Sequence, residues 1–218
     1  MLDALGEPTR YVYISTVSVY AQPLPPGADE AAPLLDVDES IASGDPRSYG
    51  GFKVLAEREL HARLGGLMTV LRPTVVTGPD DYTDRFSWWV RRVAAGGRIE
   101  APPRLEQPVQ LIDVDDLAAF TMRCLEQRIL GTFNAVGPRE PLTMGGMIDA
   151  IATAAGVHVS VERIDGTRAE RLPLVVDDPA HDGAFQVSGQ AAYQHGLTLT
   201  PLVSTARAVL TRQRDPSG

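Results

Sequence analysis

The sequence predicts an α/β protein built on a parallel sheet. Short apolar runs rich in β-formers alternate along the chain with longer segments of helical periodicity. Glycines and prolines punctuate the junctions, and no internal repeat or low-complexity tract interrupts the alternation. Strands alternating with helices mean parallel βαβ units, whose sheet is buried on both faces.

Residues 10–15 form the first short apolar run and predict a buried strand. The segment from Ala21 to Pro46, rich in prolines, glycines and acids, predicts a surface excursion. Residues 47–64 place Tyr49, Phe52, Leu55, Ala56, Leu60 and Leu64 at roughly helical spacing before Gly65-Gly66, which predicts an amphipathic helix with a glycine stop. Residues 67–72 predict a strand, with Pro73 and Gly78-Pro79 marking the loop behind it. A helix is expected over 84–95, a strand over 109–112 and a helix over 114–127 with Asp115 as N-cap. Residues 132–136 predict a strand, and Thr143 opens a helix to about Ala155 that Gly156 ends. Residues 157–164 alternate as a half-buried strand, and short helices are expected near 188–195 and 202–213.

The 218 residues suffice for one domain with a sizeable core. No apolar run approaches the ~20 residues of a membrane span, and the opening residues lack the basic and apolar regions of a secretory signal. The only cysteine, Cys124, permits no internal disulfide and fits a reducing, cytoplasmic setting. A net charge of −8 argues against a nucleic-acid partner. Arg85, Arg91 and Arg92 are close enough in sequence for either a local basic patch or one solvated helix face. Asp80, Asp81 and Asp84 read as a solvated loop and helix start, with a cation site as the alternative. His61, His158, His181 and His195 show no metal-ligand spacing, so no metal is expected.

Of the 20 basic side chains, 19 are arginine, and the single lysine is Lys53. That lysine stands four residues after Tyr49, so both side chains share one helix face. A fixed cation beside a phenol favours the phenolate and suits the pair to acid/base work at neutral pH. Upstream, residues 15–20 (Ser-Thr-Val-Ser-Val-Tyr) place small hydroxyls at the carboxyl end of a strand, where parallel sheets bind their ligands. A hydroxyl there can polarise a substrate carbonyl or alkoxide.

This ordered series resembles the extended short-chain dehydrogenase/reductases, the NAD-dependent epimerase/dehydratase family. Behind the Tyr-x-x-x-Lys pair follow Arg72-Pro73-x-x-Val76-x-Gly78-Pro79, then residues 112–118 (Ile-Asp-Val-Asp-Asp-Leu-Ala) and 132–137 (Thr-Phe-Asn-Ala-Val-Gly). The tail around Gly196-Leu197 and Pro201-Leu202 fits as well, so the likeness covers nearly the whole chain. It implies a partial Rossmann-like parallel sheet, later strands only, plus a small α+β carboxyl-terminal substrate lobe. Residues 1–80 would belong to the cofactor domain and 81–218 mainly to the substrate lobe, with 109–136 free to return to the main sheet. It implies NAD or NADP as cofactor, a small-molecule substrate such as a sugar nucleotide, and a soluble enzyme compatible with a homo-oligomer. By position, Thr16 would polarise the reacting oxygen, Tyr49 would transfer the proton, and Lys53 would lower the tyrosine's pKa and hold the nicotinamide ribose. Ser15, Pro73 and Val76 would touch the cofactor. Arg85, Trp88 and Gln110 are the substrate-binding candidates, against a surface ion pair, core packing and a strand-edge amide respectively.

The sequence departs from the family twice. The glycine-rich Gly-x-x-Gly-x-x-Gly turn that cradles a pyrophosphate is not in it, nor are the strands preceding residue 10 in the family. A fragment, a misplaced start and a truncated gene all remain open, and the chain as written is expected to bind a dinucleotide poorly and expose a sheet edge. Val17-Ser18 also stand where sugar-nucleotide dehydratases carry Asp-Glu, which leaves epimerase or reductase chemistry. The alternatives are a non-catalytic nucleotide- or RNA-binding relative and an inactive truncated fragment.

Overall fold

The structure, a computed structural model, describes residues 10–38, 40, 45, 47–176 and 178–214. Along the chain run β1 (Tyr11–Ile14), α1 (Ser48–Leu64), β2 (Met68–Pro73), β3 (Val75–Thr77), α2 (Arg85–Ala94), β4 (Gly97–Ala101) and β5 (Leu111–Asp113). These are followed by α3 (Val114–Gln127), β6 (Gly131–Ala135), α4 (Met144–Ala155), β7 (Val159–Arg163), α5 (Gly166–Ala169), α6 (Gln190–Gln194) and α7 (Leu202–Arg214). Single 3-10 turns occupy Val17–Val19 and Pro179–Phe185.

Among the described residues the seven strands pair in parallel, as the α/β prediction requires, and antiparallel contact is confined to isolated bridges. One sheet runs β1-β2-β6, and two-stranded sheets join β3 to β5 and β4 to β7. All six residues of β2 are buried, the mark of a strand covered on both faces. β1 pairs on one edge only among the described residues. At Pro73 the chain changes partner: β2 follows β6 as far as Pro73 opposite Ala135, and after Thr74 the chain resumes as β3 beside β5. Proline lacks the N–H that a continuing ladder needs, so the break falls where the sequence puts it. The loop expected between Pro73 and Gly78-Pro79 therefore contains a strand.

Helix termini follow local chemistry. Thr143 caps α4 by accepting from the Gly146 N–H, and Gly156 ends it in the left-handed region at φ 69°. The N-cap of α3 is Asp113, not Asp115. Asp113 is the residue with extended backbone, and its carboxylate accepts from the Asp115 N–H, which leaves Asp115 inside the first turn. Two further expectations change. Residues 97–101, not assigned from sequence, form β4. The segment from Ala21 is anchored rather than loosely superficial: Leu24 and Val37 are buried in a cluster with Val19, Tyr20 and Val54. Residues 39, 41–44 and 46 of that segment lie outside the described residues.

The largest core joins α2, α4 and α7 through Phe86, Trp89, Met147, Ile151 and Val209. A second cluster, with Leu71, Phe120 and Phe133, seats α3 and α6 on the main sheet. It holds Cys124, whose thiol burial pushes up to about 11, so it is an inert packing group and no nucleophile. Among the described residues no helix is long and apolar enough to cross a membrane.

Candidate active site

Thr16, Tyr49 and Lys53 arrive from two elements and line one cavity of about 290 Å³. Thr16 follows the carboxyl end of β1 in extended conformation and caps the 3-10 turn, its hydroxyl accepting from the Ser18 N–H and donating to the Ser18 hydroxyl, both at 3.2 Å. Tyr49 and Lys53 stand one turn apart on α1. The phenol is 61% exposed. The Lys53 ammonium donates to the Ile14 carbonyl at 2.7 Å and lies over the Tyr13 ring, 4.8 Å from its centroid. Burial pulls this ammonium below the ordinary lysine range, and the Glu57 carboxylate one turn further along α1 opposes the pull. The same carboxylate, after burial itself, helps push the Tyr13 phenol up.

Gly50 explains how α1 comes so close to the strand end. A Cβ built on Gly50 would lie 2.0 Å from the backbone oxygen of Ser18, so only glycine lets the helix rest against the turn that carries Thr16. Gly50→Ala is expected to cost about 2–3 kcal/mol and to displace the turn, read as a lowered urea midpoint. An unchanged midpoint would show that the turn yields freely.

A second cavity of about 640 Å³ adjoins the first, sharing Thr16, Tyr49, Thr74 and Arg85 with it. Pro73 and Val76 line the smaller cavity. Ser15 also lines the smaller cavity, and its hydroxyl donates to Glu57. Arg85 faces both cavities and donates to the Thr83 hydroxyl at 3.1 Å. The remaining two candidates lie elsewhere. Trp88 packs edge-on against Trp89, centroids 4.9 Å apart, at the border of the helical core. Gln110 lines a separate cavity of about 360 Å³ and donates to the Val187 carbonyl at 2.9 Å. The neighbouring charges are paired: Asp84 with Arg91, and Asp80 with Arg212 at 2.8 Å. Among the described residues no group of His, Cys, Asp or Glu is placed to hold a metal ion.

Several lining residues were not picked out from sequence. The hydroxyls of Thr74 and Thr77 are buried without a hydrogen-bond partner among the described residues, and both residues line the smaller cavity. Val176, His181 and Phe185 reach the larger one from a distant part of the chain. A buried network lies below the floor. Arg72 and Glu57 form an ion pair through Nη2 and Oε2 at 2.6 Å and Nε and Oε1 at 3.1 Å. Arg72 also donates to the Tyr20 hydroxyl at 3.0 Å, which donates to Asn134 at 2.7 Å. The signal for Glu57 was its position four residues beyond Lys53; nothing local marks the threonines.

Comparison with known proteins places this geometry in context. Residues 1–135, more than half of the chain, match the model of the NAD dependent epimerase/dehydratase family. No curated protein matches the sequence. Among solved structures, a Burkholderia cenocepacia protein superposes with a TM-score of 0.72 at 19% identity, covering 95% of this chain and 64% of that one. RMD from Pseudomonas aeruginosa, complexed with NADPH, gives 0.65 at 20% identity, covering 96% and 68%. UDP-glucuronic acid 4-epimerase from Bacillus cereus, in complex with NAD, gives 0.65 at 17% identity, covering 91% and 57%. The chain thus spans between 57% and 68% of the length of these structures. The strand-end hydroxyls, the Tyr-x-x-x-Lys helix and the three-stranded sheet β1-β2-β6 all fall within the matched residues, and the chain belongs to the NAD dependent epimerase/dehydratase family.

Proposed function

We propose that this chain carries the proton-transfer site of an NAD(P)-dependent epimerase or reductase acting on a hydroxyl or carbonyl carbon of a sugar nucleotide or similar small molecule. The observation that carries the reading is the convergence of Thr16, Tyr49 and Lys53 on one cavity. In support, structural relatives hold NAD, NADPH or a UDP-sugar. On this reading residues 1–80 belong to the cofactor domain and residues 81–218 mainly to the substrate lobe, with 109–136 returning to the main sheet.

The cavity fits a nicotinamide group. Its wall offers two buried hydroxyls with unmet hydrogen-bonding capacity, Thr74 and Thr77, and its rim carries a cationic amine for a ribose hydroxyl, Lys53. Lys53, Pro73, Val76 and Thr77 would hold it. When bound, that group supplies hydride transfer. The chain's own residues do the rest. Tyr49 takes or returns the proton of the reacting hydroxyl from an exposed position that substrate can reach. The Lys53 ammonium stabilises negative charge that builds on the phenol oxygen. Thr16 turns its hydroxyl from Ser18 to the reacting oxygen. Arg85 stands where the two cavities meet and is placed to meet an anionic substrate group.

The test is titration of the folded chain with NAD and NADP, followed by turnover with sugar nucleotides for the parent, Thr16→Val and Thr16→Ser. Thr16→Val is expected to lose about 10²-fold in kcat and Thr16→Ser to retain most of it. A folded sample that binds NAD or NADP but turns over no sugar nucleotide would favour the non-catalytic reading instead.

A further inference from the structure

We propose that Glu57 is a positioning residue for the Tyr49/Lys53 pair, locked by Arg72 and Ser15 beneath the cavity so that α1 keeps its rotation and a fixed negative charge stands one turn from Lys53. This inference rests on the function proposed above and adds a residue to it.

Tyr49, Lys53 and Glu57 follow one another at four-residue intervals along α1, so they descend one stripe of the helix. Tyr49 stands in the open and Glu57 is sealed, its side chain 8% exposed beside an Arg72 side chain that is 5% exposed. A buried ion pair is a poor device for stability alone, because apolar side chains of similar volume do as well or better. This pair is instead built for geometry. Two parallel N–H···O contacts fix the carboxylate plane against β2. Ser15 ties the same carboxylate to the end of β1, and Arg72 continues through Tyr20 to Asn134 of β6. Three elements that line the cavity, α1, β1 and β2, are thereby tied together at one carboxylate.

The charge matters as well as the anchor. Lys53 faces the Ile14 carbonyl and the Tyr13 ring from β1 and Tyr49 and Glu57 from α1. Across the same cavity stand Asp80, Asp81 and Arg85, and Arg72 of β2 lies behind Glu57. Of these groups Glu57 is the one that opposes the loss of the Lys53 proton to burial. An ammonium that keeps its charge is what the proton-transferring tyrosine needs beside it.

Because Lys53 is the only lysine, lysine labelled with ¹³C at Cε gives one side-chain NMR signal whose pH titration reports this residue in the full chain. Glu57→Gln is expected to lower the midpoint by about half a pH unit or more, and Glu57→Asp to hold it within about 0.2 unit. Should the unpaired arginine unfold Glu57→Gln, the double variant Glu57→Gln, Arg72→Gln removes both charges at similar volume and is expected to lower the midpoint too. A purely structural role would shift the melting temperature and leave the titration where it was, and an unmoved midpoint in either folded variant overturns the proposal. The titration needs neither cofactor nor substrate. A failure here therefore leaves the proposed function intact, and normal turnover by Tyr49→Phe sinks that function while the titration stands.

Discussion

Tyr49→Phe is expected to lower turnover by about 10²- to 10⁴-fold, the usual contribution of a positioned proton donor or acceptor, with almost no change in stability. The reasoning begins with exposure. The ring is 61% exposed and its hydroxyl carries no hydrogen bond of the fold among the described residues. Removing one oxygen therefore creates no cavity and leaves no buried partner unsatisfied. Tyr49 lines both cavities together with Thr16, and on α1 it stands one turn from Lys53. Under the proposed function, the exposure of this side chain serves chemistry on a ligand. The measurement is kcat with sugar nucleotides and NAD or NADP, alongside a thermal melt. Turnover within threefold of the parent would refute the assignment; a large fall in melting temperature would show that Tyr49 supports the fold in a way its exposure does not suggest.

Arg72→Ala is the variant expected to do most harm to stability, about 3–5 kcal/mol. The guanidinium is buried, and burial by itself pulls its proton affinity down; hydrogen bonds to Glu57 and Tyr20 outweigh that pull and hold it above the ordinary arginine range. Truncation leaves the Glu57 carboxylate buried without its counter-charge, and the Tyr20 hydroxyl loses the donor that reaches it. At 2–4 °C per kcal/mol for a chain of this size, the melting temperature should fall by roughly 10 °C. Arg72→Gln combined with Glu57→Gln should recover much of the loss, because no charge then remains buried unpaired. A single variant that melts within about 2 °C of the parent would mean that water reaches the carboxylate and that the network is far looser than its burial implies.

The parts that local chemistry controls were legible. Thr143 and Gly156 bracket α4 because capping and left-handed termination involve residues three or four apart. The i, i+4 spacing put Tyr49 and Lys53 on one face of α1 before any coordinates, and β2 was evident as an apolar run. Where acids two residues apart could each cap α3, the pattern pointed to Asp115, but Asp113 takes the cap by its extended backbone, which depends on how β5 enters the helix. Two of the short strands, β3 and β4, were missed for a related reason. β3 and β4 each show too few side chains for a period, and their partners lie 36 and more than 60 residues away.

The sequence by itself determined the alternation of strands and helices, the helix ends and the presence of a phenol and an amine on a shared helical face, all of which follow from interactions within a few residues. Only the tertiary structure decided that Gln110 and Trp88 stand apart from that face, that Thr74 and Thr77 offer unpaired hydroxyls beside it, and that Val176, His181 and Phe185 line the larger cavity. It also decided that Glu57 meets Arg72 and Ser15 beneath the floor. These contacts join segments 15 to more than 100 residues apart, and burial creates them only when β2 settles between its two neighbours and α1 docks on the strand ends.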